Sequence, residues 1–147
     1  MSIKEVACKD RNCANRKLAE EIANIIHLAF GFRFPPIITP YQICNRMADS
    51  DYRVYCYFGT GMVLGVVFFY EPEHLIEHLC VLPWYQGREI GKALLNCAID
   101  NHGPYLQLVV KNTNEAAISL YRKHGFIRTG SKGPAAVRME RKLQLHA

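Results

Sequence analysis

Residues 81–95 read Val-Leu-Pro-Trp-Tyr-Gln-Gly-Arg-Glu-Ile-Gly-Lys-Ala-Leu-Leu, an apolar strand end, a short polar loop and the start of an amphipathic segment. The first turn of a helix carries free N–H groups and a partial positive charge, so such a loop suits a phosphate or pyrophosphate. About twenty residues further on, Asn114-Glu-Ala-Ala-Ile-Ser-Leu-Tyr-Arg-Lys-His-Gly-Phe126 sets a phenol, Tyr121, on a helical pattern that stops at Gly125. The two stretches together imply an enzyme that grips a phosphorylated cofactor and uses Tyr121 near its reactive end.

Elements must position these groups, and the hydrophobic spacing supplies them. Leu18, Ile22, Ile25, Ile26 and Ala29 recur at helical intervals over 14–30, and Gly31 ends the run. Thr39-Pro40 offers a capping hydroxyl before proline at the first helical position, which predicts a short helix ending near Ser50. Segments 53–58 and 62–70 flank Gly59-Thr60-Gly61 as a hairpin, the second apolar on both faces and therefore central. A third strand covers 74–82, and a helix over 87–102 packs Ile90, Ala93, Leu94, Cys97 and Ala98 on one face. A strand at 105–111, a helix at 114–124 and strands near 126–131 and 135–144 complete the chain. The crossover helices require a parallel step in a mixed sheet covered on both faces.

Composition bounds the class. At 147 residues, half of them hydrophobic and 21% charged, the chain makes one globular domain over 1–147. The longest apolar run, 62–70, is too short for a membrane span, and the first residues lack a signal-peptide core, so a soluble cytoplasmic protein is expected. Six scattered cysteines form no Cys-x-x-Cys pair and no zinc spacing, so neither a disulfide scaffold nor a metal is expected. The net charge of +5 sits in the second half, with ten Lys/Arg against four Asp/Glu from residue 85 onward, against eight and nine before it. That half suits an anionic small ligand or equally a plain solvated surface; no dense basic run with interleaved aromatics calls for nucleic acid.

At the two motifs the chain resembles the GNAT superfamily of acetyl-CoA-dependent N-acetyltransferases. The match rests on Val81-x-Pro-x-Tyr-Gln86-Gly87-Arg88-x-Ile90-Gly91-Lys92-Ala93-Leu-Leu and Asn114-x-x-Ala-Ile-x-Leu-Tyr121-x-Lys-x-Gly125-Phe126. The resemblance implies a GNAT-like α/β fold, a mostly antiparallel mixed sheet of six or seven strands whose parallel, splayed pair forms a coenzyme A cleft. It implies backbone N–H groups from Gln86 through Lys92 on the pyrophosphate, assisted by the Gln86 side chain and the charge of Arg88 or Lys92. It further implies that Leu79, Cys80 and Val81 lie beside pantetheine and that Asn114 touches the cofactor, although Asn is also a common helix cap. A backbone N–H near Cys80 or Val81 is placed to meet the oxyanion. Where the family carries a small residue, usually Gly, this chain has Glu89, which adds bulk and negative charge beside the phosphates.

Tyr121 matches the family's general acid, which protonates the departing thiolate; the same residue also reads as a packed helix position. Glu77 is the candidate base for the amine. It stands among apolar neighbours in Leu75-Ile-Glu-His-Leu79, where burial raises a carboxylate pKa, although a solvent-facing edge Glu reads the same way. His78 points to the opposite face of a regular strand and becomes a competitor only if the strand bulges. His124 reads as a helix-end cation. Phe30, Phe32, Arg33, Phe34 and Tyr41 form an aromatic segment suited to holding the acceptor amine or to packing the first helices. Acetyl transfer to a small-molecule amine, a protein N-terminus or a lysine is the expected activity, with a weakly catalytic coenzyme A-binding regulatory domain as the alternative. A homodimer is left open.

Overall fold

The computed structural model describes residues 2–7, 15–31 and 36–142. Helix α1 (Arg16–Phe30) buries Ala19, Ile22, Ala23, Ile25 and Ile26 on one stripe and stops at Gly31, whose φ of 89° a side chain would resist. Helix α2 (Pro40–Ala48) begins as the Thr39-Pro40 signal requires. Thr39 Oγ1 accepts from the Gln42 N–H at 3.2 Å, and the Gln42 side chain accepts from the Thr39 N–H at 2.8 Å. This reciprocal cap satisfies two otherwise orphaned donors.

Strands β2 (Tyr52–Gly59) and β3 (Met62–Tyr70) form the expected hairpin. Its turn is Thr60-Gly61, both residues with positive φ, the geometry that matches strand twist. Strand β3 is buried from Val63 through Phe69, and full burial of Phe68 and Phe69 contributes about 1.5–3 kcal/mol each. Strand β4 (Leu75–Val81), helix α3 (Ile90–His102), strand β5 (Leu106–Lys111), helix α4 (Glu115–Lys123) and strands β6 (Ile127–Lys132) and β7 (Ala136–Arg141) follow.

A strand β1 (Ser2–Val6), absent from the sequence reading, pairs antiparallel with β2. Only Ile3 and Val6 of its five residues are apolar, too weak a pattern to announce a strand; edge pairing supplies the order. The seven-stranded sheet runs β1-β2-β3-β4-β5-β7-β6, antiparallel except for the parallel β4–β5 step. Helices α1 and α2 cover one face of its first half and α3 the other. Gly65 of β3 lets α3 settle on bare backbone. A Cβ there would lie 2.9 Å from Leu94 Cδ1 and 3.1 Å from Ile90 Cγ2. Helix α3 starts three residues later than the periodicity predicts, because Gly87 (φ 80°) and Glu89 (φ 66°) hold 87–89 in a loop. Among the described residues no helix is long and apolar enough to cross a membrane.

Candidate active site

The sheet parts where β4 and β5 stop pairing. Their parallel ladder holds only at Leu75–Gln107 and Ile76–Leu108; beyond it β4 pairs with β3 alone and β5 with β7 alone. One edge of β4 from Glu77 to Val81 therefore faces a gap. A cleft of about 650 Å³ fills that gap and runs from the α3 N-terminus to α4.

Most of the residues singled out in the sequence converge here. Leu79, Cys80 and Val81 line the cleft from β4, and Gln86, Gly87, Glu89, Gly91 and Lys92 from the loop and first turn of α3. Asn114 and Tyr121 line it from α4, and Phe30 from the end of α1. The first intrahelical bond of α3 runs from the Ala93 N–H to the Glu89 carbonyl. The amides of Ile90, Gly91 and Lys92 thus precede the helical ladder and carry the positive end of the dipole. The Ile90 side chain itself is buried in the core and does not line the cleft.

Two side chains sit differently from their sequence reading. Gln86 turns back on the strand, its Nε2 donating to the Val81 carbonyl at 3.2 Å, so it ties the loop to β4. Arg88 leaves the cleft: its guanidinium lies 5.0 Å from the Tyr85 ring centroid and lines a separate cavity with Glu21, Met62 and Trp84. Lys92 is then the loop cation that faces the cleft. Asn114 caps α4, its Oδ1 accepting from the Ala117 N–H at 3.2 Å, while still lining the cleft. Glu89, the departure from the family pattern, occupies the left-handed region at the N-cap and makes no side-chain cap bond. That conformation explains why a glycine suits the position.

Tyr121 is 7% exposed, packed against Phe126 with ring centroids 5.8 Å apart. Burial pushes its phenol pKa well above the ordinary 10, with Cys80 across the gap adding to the rise. The phenol therefore stays protonated at neutral pH. His124 binds the Leu120 carbonyl through Nδ1 at 2.8 Å and closes α4.

Glu77 lies on the α2 side of β4. Arg46, which the sequence reading passed over, donates through Nη1 to Glu77 Oε2 at 3.2 Å. Burial raises the Glu77 pKa above the usual carboxylate value, and Arg46 offsets only part of that rise. His78 sits in a bulge: Phe68 pairs with Glu77 and Val66 with Cys80, so β4 spends one residue more than β3, and His78 takes φ 50°. Its ring meets Phe68 edge-on at 5.5 Å, and burial lowers its pKa to about 4. Of the aromatic segment, Tyr41 is 67% exposed and Phe30 is 41% exposed, while Phe32, Arg33 and Phe34 lie outside the described residues. Of the other histidines, His27 bonds the Ile38 carbonyl at 3.0 Å and His102 the Tyr55 hydroxyl at 2.8 Å; both tie elements together.

A mixed seven-stranded sheet parted at its parallel step, with a helix N-terminus and a buried phenol in the gap, defines an acetyltransferase-like fold. The model of the acetyltransferase (GNAT) domain matches residues 50–128, and the chain belongs to that family. It is 42% identical over 59 residues to the N-alpha-acetyltransferase RimI of Mycobacterium tuberculosis, an alignment covering 40% of this chain and 37% of that protein. The chain thus spans little more than a third of the length of that curated relative. The PaiA N-acetyltransferase of Thermoplasma acidophilum, solved with coenzyme A, superposes with a TM-score of 0.74 at 19% identity, covering 97% of this chain and all of that one. The ribosomal-protein-S18-alanine N-acetyltransferase of Escherichia coli gives 0.75 at 17% identity, covering 99% and 97%. At these identities the two structures speak for the fold.

Proposed function

We propose that the protein transfers the acetyl group of acetyl-CoA to a primary amine on a small molecule, a protein N-terminus or a lysine. One observation carries the reading: a single cleft joins the free amides of the α3 first turn to the buried Tyr121 phenol. The residues fit the co-substrate. The α3 amides and Lys92 offer donors and charge for a pyrophosphate, and the unpaired β4 edge offers amide partners for an extended pantetheine arm.

Acetyl-CoA supplies an activated thioester and a sulfur leaving group. The chain's own groups do the rest. Glu77 takes the proton that an attacking amine must shed, directly or through water. A backbone N–H near Cys80 or Val81 is the candidate donor to the developing oxyanion. Tyr121, held neutral by burial, donates its proton to the departing sulfur. His78 is already neutral near pH 7, but its ring packs on Phe68, which favours Glu77 as the base. The four described cysteines are free thiols, in keeping with action in the reducing cytoplasm.

Turnover of acetyl-CoA against a panel of amines tests the reading, beginning with peptide α-amines because two similar proteins are named for that acceptor class. Tyr121→Phe is expected to lower kcat about 10- to 100-fold with acetyl-CoA affinity little changed. A wild-type rate removes the acid assignment, and tight coenzyme A binding without turnover on any amine favours a regulatory domain.

A further inference from the structure

The geometry points to Arg46 as a positioning residue that holds the Glu77 carboxylate ionised and in one orientation, an inference that rests on the reading of Glu77 as proton acceptor. Arg46 lies in the last turn of α2, thirty-one residues before Glu77, and the tertiary fold alone brings them together. Its guanidinium is fixed by more than the ion pair: the central carbon lies 5.2 Å from the Tyr52 ring centroid and 5.6 Å from that of Phe68. Phe68 is the β3 residue paired with Glu77, so the arginine rests on the sheet beside the carboxylate that it holds. A flat cation against aromatic rings loses little freedom on bonding, and a lysine does not reproduce that contact.

The pair is only partly wet, with side-chain exposures of 27% for Arg46 and 21% for Glu77. In such a setting a lone carboxylate drifts toward its neutral acid, which cannot accept a proton. The charged groups around Glu77 show what Arg46 opposes. Glu73, from the turn after β3, pushes toward protonation, and Arg46 is the one cation acting on Glu77 among the described residues. Tyr52 on β2 faces the same carboxylate, with Asp49 and Tyr70 beyond it, and the Arg46 charge helps keep His78 uncharged. The bond engages Oε2, leaving Oε1 for an amine or a bridging water. A guanidinium so placed keeps the base ready without consuming both of its oxygens.

The test follows the Glu77 carboxyl by carbon NMR across a pH titration, in wild type, Arg46→Met and Arg46→Lys, alongside the pH profile of kcat/KM. In Arg46→Met the Glu77 midpoint is expected to rise by about one pH unit or more. The acid limb of kcat/KM should move with it, so that activity recovers toward alkaline pH. Arg46→Lys should keep a midpoint near wild type, and Arg46→Gln, polar but uncharged, carries the titration if the Met variant does not fold. A structural arginine would lower the melting temperature and leave the midpoint in place; a fixed midpoint in a folded Arg46→Met overturns the inference. Glu77→Gln separates the two claims. Full turnover by that variant ends the base assignment, whereas a fixed midpoint with an inactive Glu77→Gln ends only the role given to Arg46.

Discussion

The Gln86 side-chain amide donates to the Val81 carbonyl at 3.2 Å, which pins the loop before α3 to the end of β4 that β5 leaves free. The residue that resemblance assigns to the pyrophosphate thus first organises its own loop. With that tie made, the chain turns through Gly87 and Glu89 in left-handed conformations and presents the first amides of α3 to the cleft. The architecture assigns anion binding to backbone, with side chains in supporting roles.

Glu89→Gly is expected to tighten coenzyme A about two- to fivefold, by removing a negative charge beside the phosphates. It should also stabilise the fold. Relief of a left-handed φ is worth about 1–2 kcal/mol, offset by about 0.5–1 kcal/mol of glycine entropy. The net gain predicts a melting temperature higher by about 2–4 °C. Glu89→Ala separates the effects, because it drops the charge and keeps the strain; calorimetric titration and thermal melts read both. Looser binding by the glycine variant would show the carboxylate to be useful.

Lys92 and Arg88 should part company on coenzyme A. Lys92→Gln is expected to weaken binding about five- to tenfold, since its side chain lines the cleft. Arg88→Gln should leave affinity within a factor of about two, because Arg88 lines the separate cavity beside Trp84 and not the cleft. Equal losses in the two titrations would contradict the placement.

His78 predicts a pH dependence of stability. Its pKa falls from 6.5 to about 4 on folding, so below pH 6.5 the unfolded chain binds a proton that the folded chain refuses. Its contribution is therefore present above pH 6.5 and is lost as pH falls through about 4. His78→Asn, which tolerates the positive φ, should flatten the urea-measured stability between those limits relative to wild type. Parallel curves for the two proteins would show that the ring does not stay neutral in the bulge.

Much of this was legible in the chain because local chemistry announces local structure. Thr39-Pro40 and its Gln42 partner form a cap that depends on neighbours alone, and the α2 start follows. Gly87, Gly91 and Tyr121 carry a motif whose spacing matches a strand–loop–helix and a second helix. What escaped was tertiary. Arg46 reads as an ordinary last-turn cation until folding sets it against Glu77. The direction of the Arg88 side chain depends on Tyr85, and β1 depends on an edge that only β2 provides. The His78 bulge is a register shift against β3, and no residue type on β4 alone encodes it.

The most direct test of the central claim is an amide-resolved NMR titration with coenzyme A. Saturable shifts concentrated at Gly87–Lys92 and at Leu79–Val81, with Tyr121 perturbed, are the expected result. Saturation centred instead on the Trp84 cavity, or no shift at millimolar ligand, would contradict the account.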